Sequence, residues 1–249
     1  ATGTWVNANG ENYAAWCWKA GGAAVSNTDG SITSQVSVNQ DAGFSIVSYT
    51  GNVTNLATVG HGLNKKVKFM ITKSRTTADN WVVHTDVTGT QTYSFLNTSA
   101  ALNNDSIPAP TSSVFYRGTS NTINGNNLTY VSYCWAEIEG YSKFGSYVGN
   151  GDSDGVFVYC GFKPAWMMYK RTDTTGNWII TDSSRNSTNP SDLRLFADTS
   201  GVESDLFNVL DFVSNGFKFR TNASSTNGSG ATYIFMAFAE SPFQTANAK

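Results

Sequence analysis

Charged residues are scarce in this sequence: they make up 14% of its 249 residues, whereas an average globular chain has roughly 25%. Ser, Thr, Asn and Gly supply the polarity instead. The long Ala/Glu/Lys/Leu/Arg runs that coiled coils and helical bundles need are missing. A disordered tail is excluded too, because such tails are poor in aromatic residues and 13% of this chain is aromatic. The composition therefore predicts an all-β protein with a sizeable core.

Neither a strong charge of one sign nor a long apolar run is present. The formal net charge is -2, from 16 basic and 18 acidic residues, so no basic field would recruit nucleic acid or an anionic membrane. The longest apolar stretch with aromatics, residues 130–135, is far shorter than the roughly 20 residues that span a bilayer. We expect no nucleic-acid partner and no membrane insertion. Because the chain begins with Ala1 and without a signal peptide, we also expect a processed protein or part of a longer one.

Cysteine and histidine are equally rare. Cys17, Cys134 and Cys160 are odd in number and lack metal-ligand spacing, so we predict small buried side chains, no disulfide and no metal site. His61 lies between two glycines in a predicted turn, and His84 ends a predicted strand, where a solvated position is the favoured interpretation. No Gly-x-Ser-x-Gly nucleophile motif occurs. We therefore expect a protein that is not an enzyme and carries no cofactor.

What the sequence does contain is a series of short strand patterns. Runs such as residues 67–73 and 216–220 combine β-branched and aromatic residues and are bounded by Gly, Asn or Asp. Regular short strands separated by turns predict a β-sandwich or a barrel. Residues 99–102 and 206–212 are the two stretches where a helical turn is expected.

Internal repetition is the strongest signal in the chain. Motifs from the first half return in the same order in the second half, with small differences in spacing that surface loops tolerate. The recurring pairs are Tyr-Thr-Gly-Asn at 49–52 with Tyr-Val-Gly-Asn at 147–150, Asn-Trp-Val-Val at 80–83 with Asn-Trp-Ile-Ile at 177–180, and Trp-Ala-Glu at 135–137 with Phe-Ala-Glu at 238–240.

A third, partial copy stands at the front of the chain. Residues 13–18 (Tyr-Ala-Ala-Trp-Cys-Trp) match residues 130–135 (Tyr-Val-Ser-Tyr-Cys-Trp) position for position, which identifies residues 1–20 as the last strand of a preceding repeat. We expect this strand to add to one of the two units. The predicted fold is two tandem β-sandwich, jelly-roll-like units, divided as residues 1–42 (strand plus polar linker), 43–142 (first unit) and 143–249 (second unit).

Several long motifs resemble a known family. They include Gly-Phe-Ser-Ile-Val-Ser-Tyr-Thr-Gly-Asn at 43–52, Ala-Trp-Cys-Trp-Lys-Ala-Gly-Gly at 15–22 and the stretches at 59–63, 139–151 and 231–243. The chain is similar, over almost its whole length, to a repeat domain of tailed-bacteriophage virion proteins from marine and freshwater phages. This resemblance implies a virion structural protein, most often a tail fibre or another tail-associated protein. It supplies no catalytic motif.

Carboxylates suggest two weaker candidate sites. Asp152 and Asp154 alternate with other oxygen-bearing residues before Gly155, as in calcium loops, but the bidentate Glu of such a loop is missing. An Asx-rich turn is the favoured interpretation, with calcium as the alternative. Glu137 and Glu240 occupy equivalent repeat positions, and we predict that each caps its own strand or pairs with Lys or Arg.

Aromatic residues support a glycan-binding hypothesis, because sugars stack their C–H faces on aromatic rings. Trp81 and Trp178 recur at one strand start, so the core is the favoured place for both and a ligand platform is the alternative. The non-repeated loops 105–113 and 183–192 are the favoured contact surface. The candidate ligand-binding residues are Trp81, Trp178, Tyr116, Tyr141, Asp152 and Asp154.

The leading functional hypothesis is a structural protein on an extracellular virion, a fibre or tail-associated component that contacts the host. Its expected partners are other virion proteins, a host-surface glycan and, by analogy with trimeric fibres, further copies of itself. A capsid decoration or head-fibre protein is one alternative. A carbohydrate-binding module of a secreted protein is the other.

Overall fold

Alternating β-branched and aromatic residues give an almost entirely β structure in the computed structural model, which describes residues 8–240. The predicted all-β sandwich class is confirmed. In chain order the elements are β1 (Val25–Asn27), β2 (Ser34–Asn39), β3 (Phe44–Thr50), β4 (Ala57–Gly60), β5 (Val67–Ser74), β6 (Val82–Thr85), β7 (Thr92–Phe95), β8 (Asn103–Asn104), β9 (Val114–Arg117), α1 (Asn121–Asn124), β10 (Thr129–Ala136), β11 (Ser142–Val148), β12 (Phe157–Tyr159), β13 (Pro164–Arg171), β14 (Ile179–Asp182), β15 (Ser191–Phe196), β16 (Ser204–Val213), β17 (Gly216–Phe219) and β18 (Thr232–Ala239).

Two eight-stranded antiparallel sheets and one two-stranded sheet hold these strands. The first sheet has the order β1-β2-β3-β10-β5-β6-β7-β8 and the second the order β11-β18-β13-β14-β15-β16-β17-β12. The strands β4 and β9 pair with each other and pack over the first sheet. No described sheet combines a strand from β1–β10 with a strand from β11–β18.

Each half of the chain has its own core, and a third core joins the halves. One apolar cluster lies between the first sheet and β4–β9, and another lies inside the curled second sheet. The third cluster combines Phe69 and Trp135 from the first sheet with Trp166, Trp178 and Phe238 from the second. The two large sheets thus pack face to face and remove the apolar sides of both from water.

Residues 8–20 are not a paired strand, which corrects that prediction for the described part of the front segment. Residues 1–7 lie outside the described residues, and residues 8–20 form no strand. The matching strand β10, like β13 and β18, already has a neighbour on each side. Trp18 instead packs edge-on against Trp135 and Trp166, with ring centroids 5.9 and 5.2 Å apart. The aromatic pattern therefore helps to close the shared core rather than extend a sheet.

Residues 21–42 are not a linker, which is a second correction. They contain β1 and β2, an antiparallel hairpin that adds to β3 at the edge of the first sheet. Ile32, Ser34 and Val36 are buried, whereas Thr33 and Gln35 between them are exposed. This period of two is the strand signal that the high polar content concealed.

The recurring motifs make the same hydrogen bond in both halves, from a main-chain N–H to the side chain of an asparagine far along the chain. Asn124 Oδ1 accepts the Asn52 N–H at 3.0 Å, and Asn227 Oδ1 accepts the Asn150 N–H at 3.0 Å. A side chain at Gly51 is excluded, because its Cβ would lie 2.4 Å from a carbonyl oxygen of the facing turn. The repeated residues are thus explained by folding and do not require a ligand.

Both helical predictions are wrong. Residues 206–212 lie within β16, and residues 99–102 form no helix. Pairing of β16 with β17, for example Leu210 opposite Phe219, outweighs the weak local helical preference. The short helix α1 begins after Ser120, whose hydroxyl accepts the Thr122 N–H at 3.3 Å. Within residues 8–240, no helix is both long and apolar enough to cross a membrane.

The cysteines separate into two kinds. Cys134 and Cys160 are buried, and burial raises the pKa of each thiol to about 12. Cys17 is exposed, so the prediction of a small buried side chain is wrong at that position. Its neighbours Trp16 and Trp18 are both partly buried, and Cys17 between them faces the other way. All three thiols are free.

His61 gives a prediction about acid stability. Burial lowers its pKa from 6.5 to about 4, so on acidification the unfolded chain takes up a proton before the folded chain does. Stability should be complete above pH 6.5 and fall as the pH drops towards 4, by at most about 1.4 kcal/mol per pH unit. Urea unfolding at pH 7, 5.5 and 4.5 measures this loss. The matched variant is His61→Cys, because Cys160 holds the corresponding position in the second half; an unchanged acid slope in that variant would contradict the assignment.

Candidate binding surfaces on the second unit

Trp178 lies inside the shared core. Its side chain is 1% exposed, its Nε1–H donates to the Phe95 carbonyl at 2.9 Å, and the Lys170 ammonium lies 5.6 Å from its ring centroid. A ligand in solution has no face of this ring to stack on, which corrects Trp178 as a ligand-binding candidate. Trp81, at the matching repeat position, is 37% exposed, so the favoured core placement is wrong for Trp81.

The predicted tyrosines do not join the tryptophans in one platform. Tyr141 packs edge-on against Phe238 with ring centroids 5.7 Å apart, and burial raises its hydroxyl pKa. With Gln40 and Asp41 it lines a cleft of about 510 Å³. Tyr116 is partly buried on β9, opposite Thr58 of β4. The structure therefore distributes these aromatic residues over separate places.

Two predicted polar features do come together, around what we call the loop cleft. Asp152 Oδ1 accepts the Asp154 N–H at 2.9 Å, which forms the expected Asx turn. Ser153 of this turn lines the same cleft as Asn189 and Pro190 of the predicted contact loop 183–192. The cleft between them has a volume of about 450 Å³ and is lined by Ser153, Asn189, Pro190, Asp211 and Arg220.

Charges of both signs surround the loop cleft. Arg220 Nε lies 2.6 Å from Asp211 Oδ2, and Lys218 Nζ lies 3.0 Å from Asp154 Oδ1. The hydrogen bond from Lys218 lowers the pKa of Asp154, so this carboxylate stays ionised at neutral pH. Asp154 is nevertheless 76% exposed. The cleft thus presents carboxylate acceptors beside a guanidinium donor.

The other predicted contact loop, residues 105–113, is anchored to the body of the first unit. Asp105 Oδ2 lies 3.2 Å from His84 Nε2, and Ile107 is buried. Burial lowers the pKa of His84, while its hydrogen bond to Asp105 opposes that shift. The interpretation of His84 as a solvated strand position is wrong, since it is 2% exposed.

A second surface, which we call the edge groove, was not predicted from the sequence. It is the space between the two outermost strands of the second sheet, β11 and β12, and its end beside Ser142, Lys143 and Tyr159 is a cavity of about 590 Å³. Phe157 and Tyr159 of β12 are 47% and 64% exposed. The sequence does contain one signal that could have indicated this groove, a difference between the repeats. The residue that corresponds to Tyr159 in the first half is Gly60. The residues lining this cavity at the end of the groove are Glu137, Glu139, Gly140, Ser142, Lys143, Tyr159, Cys160 and Gly161.

The carboxylates flagged in the repeats have structural partners. Glu137 Oε1 lies 2.7 Å from Lys143 Nζ, and its other oxygen accepts the Phe144 N–H at 3.3 Å. Glu240 pairs with Lys163 at 3.1 Å. Both predictions are confirmed. Across residues 8–240, no three His, Cys, Asp or Glu side chains lie close enough to hold a metal ion.

Comparison with known proteins gives one match. A family model described as "Domain of unknown function (DUF7483)" matches residues 1–242. No curated protein and no solved structure matches the chain.

Proposed function

The chain belongs to the DUF7483 family, and we propose that it is a non-enzymatic structural protein of a tailed-phage virion, a fibre or tail-associated component that contacts the host surface. The motifs at 43–52 and 139–151 support assignment to a virion, because they resemble virion proteins. The shared core of the two sheets supports a load-bearing role, since separation of the halves would expose its aromatic residues to water.

The proposed host contact is argued from the loop cleft, which is lined both by the Asx turn and by loop 183–192. Sugars present hydroxyl groups that both donate and accept hydrogen bonds. Asp154 and Asp211 offer acceptors and Arg220 offers a donor on one surface. The ligand class we propose for this cleft is therefore a host-surface glycan.

Replacing Asp154 with alanine tests the cleft. We expect about ten-fold weaker binding of the purified chain to host cells, because one charged hydrogen-bond acceptor is lost. Flow cytometry of labelled chain on host cells measures the affinity. The matched control is Asp173→Ala, which removes another exposed, arginine-paired carboxylate and should leave binding unchanged. Equal effects of the two substitutions would count against the loop cleft.

The position on the particle is a separate test. Gold-labelled antibodies against the chain should decorate the tail or its fibres in electron micrographs of intact virions. Decoration of the capsid lattice, together with no binding to host cells, would replace the proposal by the capsid-decoration alternative. Detectable glycan hydrolysis by the purified chain would contradict its non-enzymatic character.

A further inference from the structure

In the first half of the chain, a strand fills the space between β3 and β4. β2 pairs with β3 from Ser34 opposite Tyr49 to Asn39 opposite Phe44. Just before it, Ile32 bridges Val59 of β4 in parallel, and its N–H donates to the Thr58 carbonyl at 2.9 Å. Residues 32–39 therefore join the two edges by main-chain hydrogen bonds.

The corresponding space in the second half is the edge groove, and no described strand fills it. β11 corresponds to β3 and β12 to β4, yet β11 pairs only with β18 and β12 only with β17 among residues 8–240. Only residues 137–141 separate β10 from β11. This connection is too short to supply a counterpart of β1 and β2.

The open edge of β11 has a defined length. The Gly149 N–H donates to Ala231 beside β18, and backbone groups alternate in direction along a strand, so Ser146 and Val148 point their N–H and C=O groups into the groove. Nearer the start of β11, the Ser142 N–H donates to Ile138 and the Phe144 N–H to Glu137. The part of β11 available for pairing therefore runs from Ser146 to Val148, because the Glu137 carboxylate already accepts the Phe144 N–H before it.

The strand β12, on the other side of the groove, has a large apolar side chain at a position where β4 of the first half has a glycine. At Gly60 a Cβ would lie 1.6 Å from Asn27 Oδ1, because the β1–β2 hairpin covers that position. Its counterpart Tyr159 carries a full ring that is 64% exposed, and Val148 across the groove is 57% exposed. Large apolar side chains beside unpaired main-chain groups are the features by which sheet edges bind an added strand.

We propose that the edge groove binds an extended strand of another polypeptide. The strand has the alternation of β2, with β-branched or small residues facing the core of the second unit and polar residues facing outward. It pairs with Ser146 and Val148, while Phe157 and Tyr159 cover its outer side in the space that β1 takes in the first half. The same interface is already made once within this chain, between β2 and the edges of β3 and β4.

A peptide with the sequence of residues 30–40 tests the proposal, because it contains β2 without β1. A fluorescein-labelled form is titrated into the full chain and followed by fluorescence anisotropy. We expect saturable binding, absent for a scrambled peptide. Hydrogen exchange should slow at the Ser146 and Val148 amides, which distinguishes the groove from exchange of the peptide with β2 in the first half.

Two substitutions at one position separate main-chain pairing from side-chain contact. Ser146→Pro removes the N–H that points into the groove and leaves the bonds to β18 in place, so binding should weaken about ten-fold. Ser146→Ala keeps the N–H and loses only the hydroxyl bond to the Val87 carbonyl, and it should bind within about two-fold of the parent chain. Circular dichroism and thermal unfolding verify the fold of both.

Absence of saturable binding by the parent chain, or equal weakening by the two substitutions, would overturn the proposal. So would peptide binding without slower exchange at Ser146 and Val148. The exchange measurement uses the parent chain, so it decides the question even where Ser146→Pro fails to fold. Binding of saccharides instead of the peptide in the groove would assign it to another ligand class. None of these results depends on the proposed host contact, which involves the loop cleft.

Discussion

Replacing Trp178 with alanine should lower the free energy of unfolding by about 4 kcal/mol, which is the middle of the range for removal of a buried aromatic side chain. The ring is 1% exposed, and it packs against Phe69 in a T-shaped arrangement with ring centroids 6.1 Å apart. Removal also leaves the Phe95 carbonyl without its 2.9 Å donor from Nε1. Because Trp178 lies where the two sheets meet, the loss should weaken the association of the two halves.

Trp81→Ala is the matched control, since Trp81 occupies the same repeat position with 37% of its surface exposed. Its cost should be about 1 kcal/mol or less. Urea denaturation of both variants measures the difference, and thermal unfolding should show a midpoint about 10 °C lower for Trp178→Ala. Equal costs would contradict the shared core, because the repeat would then place the two rings in equivalent surroundings.

Replacing Arg117 with alanine should cost about 3 kcal/mol, mainly from the cavity that a fully buried side chain leaves. Arg117 is 0% exposed, and its described partners include no carboxylate. Its guanidinium donates to Tyr49, Thr72 and Ser132 at 2.8, 2.9 and 3.1 Å. It also lies 4.1 Å from the centroid of the Phe115 ring.

The informative comparison is Arg117→Met, which fills a similar volume without a charge. Removing a buried charge avoids its desolvation cost, so this variant should lie within about 1 kcal/mol of the parent chain. Thr72 and Ser132 remain bonded to each other at 2.8 Å. The second half of the chain indicates that an apolar version folds, because Phe219, Tyr169 and Phe235 occupy the positions matching Arg117, Thr72 and Ser132. An Arg117→Met cost equal to that of alanine, measured by urea unfolding, would show that the charge itself is needed.

Local pattern was enough to predict the fold class and the recurrence of motifs in the two halves, although not the hydrogen bonds that these motifs make. Strand periodicity and the paired Tyr-x-Gly-Asn motifs depend on residues close in sequence, and each half builds the same contacts from them, as Asn52 with Asn124 and Asn150 with Asn227 do. The pairing of Glu137 and Glu240 with lysine was likewise predicted, and Glu137 meets its partner Lys143 only six residues further along the chain.

The candidate surfaces were predictable only in part. The Asx turn at Asp152 and Asp154 was identified from residue types and the loop 183–192 from its absence in the other repeat, but their position around one cleft depends on the path of β16 and β17. The edge groove was not predicted because it lies where no described strand pairs with the outer edge of β11. A pattern in β11 cannot reveal whether another strand lies beside it.

The sequence by itself determined an all-β chain with two similar halves, since the period of alternation and the spacing of motifs are properties of the chain alone. Tertiary structure decided which faces of those halves are covered. Trp81 and Trp178 share a sequence context and differ in exposure, 37% against 1%. Residues 25–39 close one edge of the first unit, while no strand among residues 8–240 closes the equivalent edge of the second. Burial depends on what packs against a residue from far along the chain, so identical local patterns acquire different roles.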